Sequence, residues 1–396
     1  MSSTHVKHFA VAICLLSVLA ILPQACGGGS SSDPSGSSGD PTTQPGQTGS
    51  GTPTPVGTGG PTTPAIIHAG ANIAEAVRRA PAGSTIILSP GTYGPVNLTA
   101  GVAEGITVLA DPTAQFTGGS PGKISIIGGN ANAAISIDGV TDLVIDGVTV
   151  SGGREAGILV VESPGTWIQD CVVRGSAGAG VKYKDSDDGL IFNNLIWNNS
   201  GAGIAVLGSS NAEIFNDTLY KNAGNGIVVD DDGALVPVLS SGITVENSIL
   251  NKNTPAGISV SASTTDFVEN FNYNSDGYDG VTMGADDIDT SISVNPLFVA
   301  PGQSDDGFHL HVGLNLSTSP AIDAGDPNTP IDLVAALETL TTQLDGTLDV
   351  DPVDLGYHYL PPSAFATPTP PATPTNTPHG TSTRAPTATR TPTRTP

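Results

Sequence analysis

Three consecutive stretches decide the fold: GILVVESPGTWIQDCVVRGSAGA (157–179), GVKYKDSDDGLIFNNLIWNNSGA (180–202) and GIAVLGSSNAEIFNDTLYKNAGN (203–225). Each is 23 residues long, Gly226-Ile227 starts the next block, and Gly257-Ile258 follows after 31 residues, one period plus an eight-residue insertion. An apolar residue recurs eleven places into each block (Ile168, Ile191, Ile214). A polar position recurs thirteen places in (Asp170, Asn193, Asn216 and, past the insertion, Asn247), and another nineteen places in (Ser176, Asn199, Asn222, Asn253). Self-similarity at a fixed period of this length is the mark of a solenoid.

Each block consists of three short alternating apolar runs broken by Gly, Asn and Ser. The runs are too short for helices, and the turns come too often for strand–helix–strand units. One such unit cannot bury its own apolar face. Stacked units can, each adding about 4.8 Å and hydrogen-bonding its strands to the turns above and below. Ile158, Val181, Ile204, Ile227 and Ile258 then form an inward ladder. The Asn columns are expected to stack on one another, because an unpaired buried amide costs roughly 1–3 kcal/mol.

The Gly-Ile starts and Asn turns resemble the right-handed parallel β-helix repeats of pectate lyases, polysaccharide depolymerases and related bacterial surface proteins. Asn72 to Val77 followed by Pro81 to Tyr93 is similar to the usual start of that superfamily, a capping helix and then the first strand. Ser319-Pro320-Ala321-Ile322-Asp323-Ala324-Gly325-Asp326-Pro327, with Val353-Asp354-Leu355-Gly356-Tyr357, resembles its C-terminal closing segment. Between these halves, Val334, Leu337, Leu340 and Leu344 at helical spacing predict a short helix over the open end. The predicted fold is all-β: a right-handed parallel β-helix with an N-terminal capping helix and a short C-terminal cap.

The two ends of the chain have another character. Phe9 to Leu22 is an apolar run of 14 residues, too short for a helix that spans about 30 Å of hydrocarbon but suited to a signal sequence. It ends in Leu22-Pro23-Gln24-Ala25-Cys26, which resembles a bacterial lipoprotein signal with Cys26 as the lipidated residue. Pro23 is unusual there, and cleavage near Ala25 without lipid is the alternative. Residues 1–25 are read as the signal peptide, 26–64 as a Gly/Ser/Thr/Pro linker, 65–361 as the folded domain and 362–396 as a Thr/Pro tail. No later segment is apolar for 18 residues, so membrane contact is expected through the N-terminal lipid alone, on an exported monomer. Cys171 has no disulfide partner and reads as a small buried hydrophobe.

The domain carries 35 Asp and Glu against nine Lys and Arg. So acidic a surface repels phosphate backbones, which argues against nucleic acid. It repels uronate polymers too, unless cations intervene. In lyases of the resembling family, substrate lies along the first sheet, calcium bridges carboxylates to the uronate, and a Lys or Arg removes a proton. Here the strand after each block-starting Gly places Lys182 and Lys184 outward, which makes them the catalytic candidates. Asp185, Asp230, Asp231 and Asp232 are the candidate Ca²⁺ ligands, about 10 Å apart across two rungs. The plainer reading is solvated Asp-rich turns with two counter-charges, and the catalytic lysyl or arginyl signatures of pectate lyases match no position. Arg174, Trp197 and Tyr220, in one outward row, are the candidate sugar-binding platform; alternatively the rings cover an apolar strip. His309 and His311 alternate along a last strand rather than forming a metal site. Two functions remain open: an envelope-attached protein that binds, with or without cleavage, an extracellular polysaccharide, or a rigid adhesive rod held on a spacer.

Overall fold

Alternating apolar residues, interrupted at regular places by residues in the left-handed conformation, give three short strands per rung. Strands of successive rungs pair in parallel into sheets of nine, eight and nine strands. The computed structural model describes residues 65–67, 72–110, 124–289, 296–313, 317–350 and 352–361. The expected signal peptide, Cys26, the linker and the Thr/Pro tail lie outside the described residues.

Sheet one includes Val144–Asp146, Trp167–Gln169, Leu190–Phe192, Glu213–Phe215 and Thr244–Glu246. Sheet two includes Ala133–Asp138, Ala156–Val161, Ala179–Lys184, Ile204–Leu207, Ile227–Asp230 and Ile258–Val260. Sheet three includes Thr149–Gly152, Val172–Arg174, Leu195–Trp197, Thr218–Tyr220 and Ile249–Asn251. The register is the one the repeat predicts: Ile158, Val181, Ile204, Ile227 and Ile258 are successive partners, each with 0% of its surface exposed. The block-starting glycines are forced by crowding. A Cβ on Gly203 would lie 2.6 Å from Leu219 Cδ2 and 2.7 Å from the Gly226 carbonyl oxygen.

Polar ladders thread the interior, two of them at positions the repeat marks. The one through Ser176, Asn199, Asn222 and Asn253 is as expected, each backbone N–H donating to the side-chain oxygen one rung on, at 3.0–3.1 Å. The other is displaced inward by one residue, although Asn193 Nδ2 does donate to Asp170 Oδ1 (2.6 Å) along the predicted column. Asp170, Asn193, Asn216 and Asn247 do share a register, with φ of 53–55° at the corner between sheets one and three. The inward stack, however, is made by their successors: Cys171 N–H donates to Asn194 Oδ1 (3.0 Å), Asn194 N–H to Asp217 Oδ1 (2.6 Å), and Asp217 N–H to Ser248 Oγ (3.2 Å). The left-handed residue turns the chain, so its own side chain leaves the core and the next one enters it. Ser163, Ser186, Ser209 and Ser240 form a further ladder that the repeat did not single out.

Helix α1 (Ile73–Arg79) closes the N-terminal end, burying Ile73 and Val77 in the central core. Asn72 Oδ1 caps it by accepting from Glu75 N–H at 3.1 Å, and Arg78 and Arg79 both pair with Glu75. Helix α2 (Ile331–Leu337) is shorter and elsewhere than expected: Leu344 is 60% exposed, and the helix lies on the side of the coil rather than across its end. Leu333, Val334, Leu337 and Leu340 pack on Trp167, Leu190, Phe192 and Phe215 of sheet one.

The outward residues of the displaced ladder are the docking points for that C-terminal segment. Asn193 Oδ1 accepts from His358 N–H (2.6 Å), and its Nδ2 donates to the His358 carbonyl (3.2 Å). Asn216 Nδ2 donates to the Asp354 carbonyl (3.0 Å), Asn247 Nδ2 to Thr329 Oγ1 (2.9 Å), and Asp326 N–H to Asn247 Oδ1 (2.8 Å). Asp354 joins the two halves of the closing motif, accepting from Asp323 N–H (2.7 Å) and from the Thr342 hydroxyl.

Candidate functional site

The C-terminal segment covers two of the three faces. On sheet one it lays down α2; on sheet three, Phe298, Phe308, Leu310 and Leu355 bury Val172, Leu195, Tyr220 and Ile249. Among the described residues, the outer face of sheet two receives no such cover: its apolar cluster contains only its own Ala133, Ala156, Leu159, Ala179 and Ala205, flanked by Val161, Ala202 and Leu207.

Tyr183, Val206 and Val229 point inward and are buried, so Lys182, Ala205 and Val228 form one outward row of sheet two, and Lys184, Leu207 and Asp230 the next. Lys182 does reach the face, but it is engaged: its Nζ lies 2.9 Å from Glu155 Oε1, and Asn132 Nδ2 holds the other oxygen at 2.7 Å. The hydrogen bond from Lys182, then that from Asn132, keeps the Glu155 carboxyl below its ordinary range. Tied in this way, the Lys182 Nζ is directed at Glu155. Lys184 sits between Val161 and Leu207, two strands and about 10 Å from Asp230.

The ligand set expected for calcium does not assemble. Asp230 Oδ1 accepts from Asp231 N–H (2.8 Å), Asp231 Oδ1 from Gly233 N–H (2.9 Å), and Asp232 Oδ1 from Ala234 and Val238 N–H (3.1 and 2.9 Å). The run shapes its own loop, and each carboxylate is turned by the bond it accepts. Those two backbone donors hold the Asp232 carboxyl below its usual range, while burial and then the nearby Asp232 charge push Asp185 up. Among the described residues, no group of three His, Cys, Asp or Glu side chains converges as a metal site. The inserted loop does stand beside the sheet, as expected, with Leu235 and Val236 at its exposed tip.

Arg174, Trp197 and Tyr220 do stack in register on sheet three, but the chain itself occupies them. Phe308 packs on Trp197 and Tyr220 with ring centroids 5.6 and 5.1 Å apart, and Tyr220 is 4% exposed. Asp305 closes the group, accepting from Trp197 Nε1 (3.2 Å) and pairing with Arg174 Nε (3.1 Å). An aromatic row offers the same apolar area to a sugar or to a tethered Phe, and the tethered group has no association entropy to overcome. Of the histidines, His309 stacks on Tyr359 at 3.8 Å. No motif singles out His358, which is buried with Nε2 2.7 Å from Asp349 Oδ2.

The family described as right handed beta helix region matches residues 123–275. The rungs form a right-handed β-helix. No curated protein matches the chain. Among solved structures it is similar to a periplasmic alginate epimerase, at 14% identity over 47% of each chain with a TM-score of 0.38. It is also similar to the A-module of an Azotobacter vinelandii mannuronan C-5 epimerase (17% identity, 48% of this chain and 68% of that one, TM-score 0.34). A pectate lyase shows 14% identity over 73% of this chain and 90% of that one, with a TM-score of 0.33. The chain spans about half the length of the first of these, and the likeness is one of fold.

Proposed function

We propose that this is an exported protein, tethered to the cell envelope through a lipid on Cys26, that binds an extracellular polysaccharide along the outer face of sheet two. The observation that supports it most is the bare face. The C-terminal segment buries the apolar rows of two sheets and leaves the third with alternating apolar and polar side chains. Leu207 and Val228 suit the C–H faces of sugar rings; Ser136, Lys184, Asp230 and Ser259 suit their hydroxyls. Eight stacked strands make this face about 34 Å long, which fits a polymer better than a single sugar. Cleavage is not part of the reading, since Lys182 is engaged with Glu155.

A glycan array probed with the mature protein tests the binding. Signals above background are expected, reduced about tenfold by Lys184→Ala/Asp230→Ala and unchanged by EDTA. An empty array would leave the rigid-rod reading in its place, and signals abolished by EDTA would restore a calcium bridge. The tether is tested separately: Cys26→Ser is expected to move the expressed protein from the membrane fraction to the soluble one. Unchanged partitioning, with no lipid on the mature N-terminus by mass spectrometry, would refute it.

A further inference from the structure

The corner that leads from sheet three to sheet two repeats a left-handed residue on successive rungs: Gly175, Asn198, Lys221 and Lys252, with φ of 67°, 56°, 52° and 63°. Gly and Asn are the residues that take this conformation readily; lysine is not. Two lysines at consecutive positions of this kind are therefore not explained by the turn itself. Tyr220 and Asn251 are register partners, so Lys221 and Lys252 leave the chain about 4.8 Å apart and on the same side.

Between them and the neighbouring rungs lies a depression of about 490 Å³. Its lining includes Asn198, Ser200, Lys221, Lys252 and Thr254, and no carboxylate. That composition stands out in a domain with 35 acidic and nine basic residues. Several other cations are matched at short range: Arg78 and Arg79 to Glu75, Arg174 to Asp305, Lys182 to Glu155. Lys252 is also aimed. Its Nζ donates to the Tyr220 hydroxyl at 3.0 Å and lies 5.2 Å from the centre of that ring, so its long side chain is held before any ligand arrives. Asp276, on the following rung, is spent on the turn: it accepts from Lys252 N–H (2.6 Å), Asn253 N–H (2.7 Å) and Asn253 Nδ2 (2.9 Å).

We infer that this corner is an oxyanion-binding site, in which Lys221 and Lys252 take a carboxylate or sulfate carried on a sugar, and Asn198, Ser200 and Thr254 take its hydroxyls. The site stands apart from the bare face of sheet two and does not depend on the proposal made for it. An acidic rod with a carboxylate-free basic hollow selects glycans whose charges are spaced, since a dense polyanion meets repulsion on either side.

Calorimetry on the mature protein with oligogalacturonate, a sulfated oligosaccharide and a neutral oligosaccharide of equal length decides it. Binding of at least one anionic probe is expected, weakened about tenfold by Lys221→Gln or Lys252→Gln and abolished in the double variant. Tyr220 is a core residue, so the aiming of Lys252 is tested by Tyr220→Phe, which keeps the ring; a loss of about threefold is expected. Raising salt from 0.05 to 0.5 M should weaken the anionic probes and leave any neutral binding unchanged. Both lysines are exposed, and unchanged melting curves would show the variants folded. A double variant that binds the anionic probes like the parent, no binding by either anion, or equal affinity for the neutral probe would each overturn the site. Lys184→Ala/Asp230→Ala, which tests the sheet-two face, should leave this binding intact.

Discussion

At pH 8 the Asp217→Asn protein is expected to melt several degrees above the parent, and at pH 4 at the same temperature. Asp217 stands in the inward ladder directly above Asn194, with 0% of its surface exposed. Its Oδ1 accepts from Asn194 N–H at 2.6 Å and from Asn194 Nδ2 at 3.0 Å, while its Oδ2 has no partner. Burial, only partly offset by those two hydrogen bonds, raises its pKa from 3.8 to about 8. Between these values the folded chain holds a proton that the unfolded chain has released, so stability falls as pH rises from about 4 to about 8. Below that window both states are protonated and nothing changes. The accumulated penalty is on the order of several kcal/mol. An amide at this position keeps the acceptor, adds a donor where the lone oxygen now sits, and carries no charge. In Asn194 that donor reaches the Ile168 carbonyl at 2.9 Å, and Ile191 is its counterpart one rung on. Melting curves of the two proteins from pH 4 to 9 check this, and parallel curves would show that Asp217 does not titrate in the window.

Phe308→Ala is expected to have the opposite sign and a comparable size. Phe308 is 2% exposed and contacts the rings of Trp197, Tyr220 and Phe298 at centroid distances of 5.1–5.6 Å. Truncating a ring so enclosed costs about 3–5 kcal/mol. The loss should show locally before it shows globally, because a solenoid's rungs lean on their neighbours and not on the whole molecule. Trp197 would report it, its emission moving to longer wavelength at temperatures where the far-ultraviolet dichroism of the sheets is unchanged. Coincident loss of both signals would mean that the strap and the coil melt as one unit.

The coil was legible because stacking makes each inward side chain meet its own copy, which writes the architecture into the sequence as a 23-residue period. Other features could not be read from it. At the corner after sheet one, Asn193 and Asn194 are adjacent and identical, and the period alone does not say which of them turns inward; only the left-handed φ of the first assigns the second to the core. The cover over the aromatic row is illegible for a different reason. Trp197 and Tyr220 are covered by Asp305 and Phe308, more than eighty residues away, in a segment outside the repeat. A period is local knowledge, and cover is not. The Asp230–Asp232 run misled in the same way, since carboxylates that fold a loop and carboxylates that gather an ion are alike in sequence. Lys221 and Lys252 were in plain view at the turn position, but their meaning needed the hollow beside them.

The three-point hold of the closing segment on Asn193, Asn216 and Asn247 turns it into a gauge. It grips three successive corners at fixed separations, so a rung gained or lost between 193 and 247 would leave one grip without its partner. The eight-residue insertion is accommodated because it leaves the coil at another corner, beside sheet two, and returns to the same register. Repeat proteins commonly lengthen and shorten by duplicating units. Here that freedom survives toward the N-terminal end and is withdrawn over the clamped rungs, so lineages of this protein are expected to vary in length on one side only.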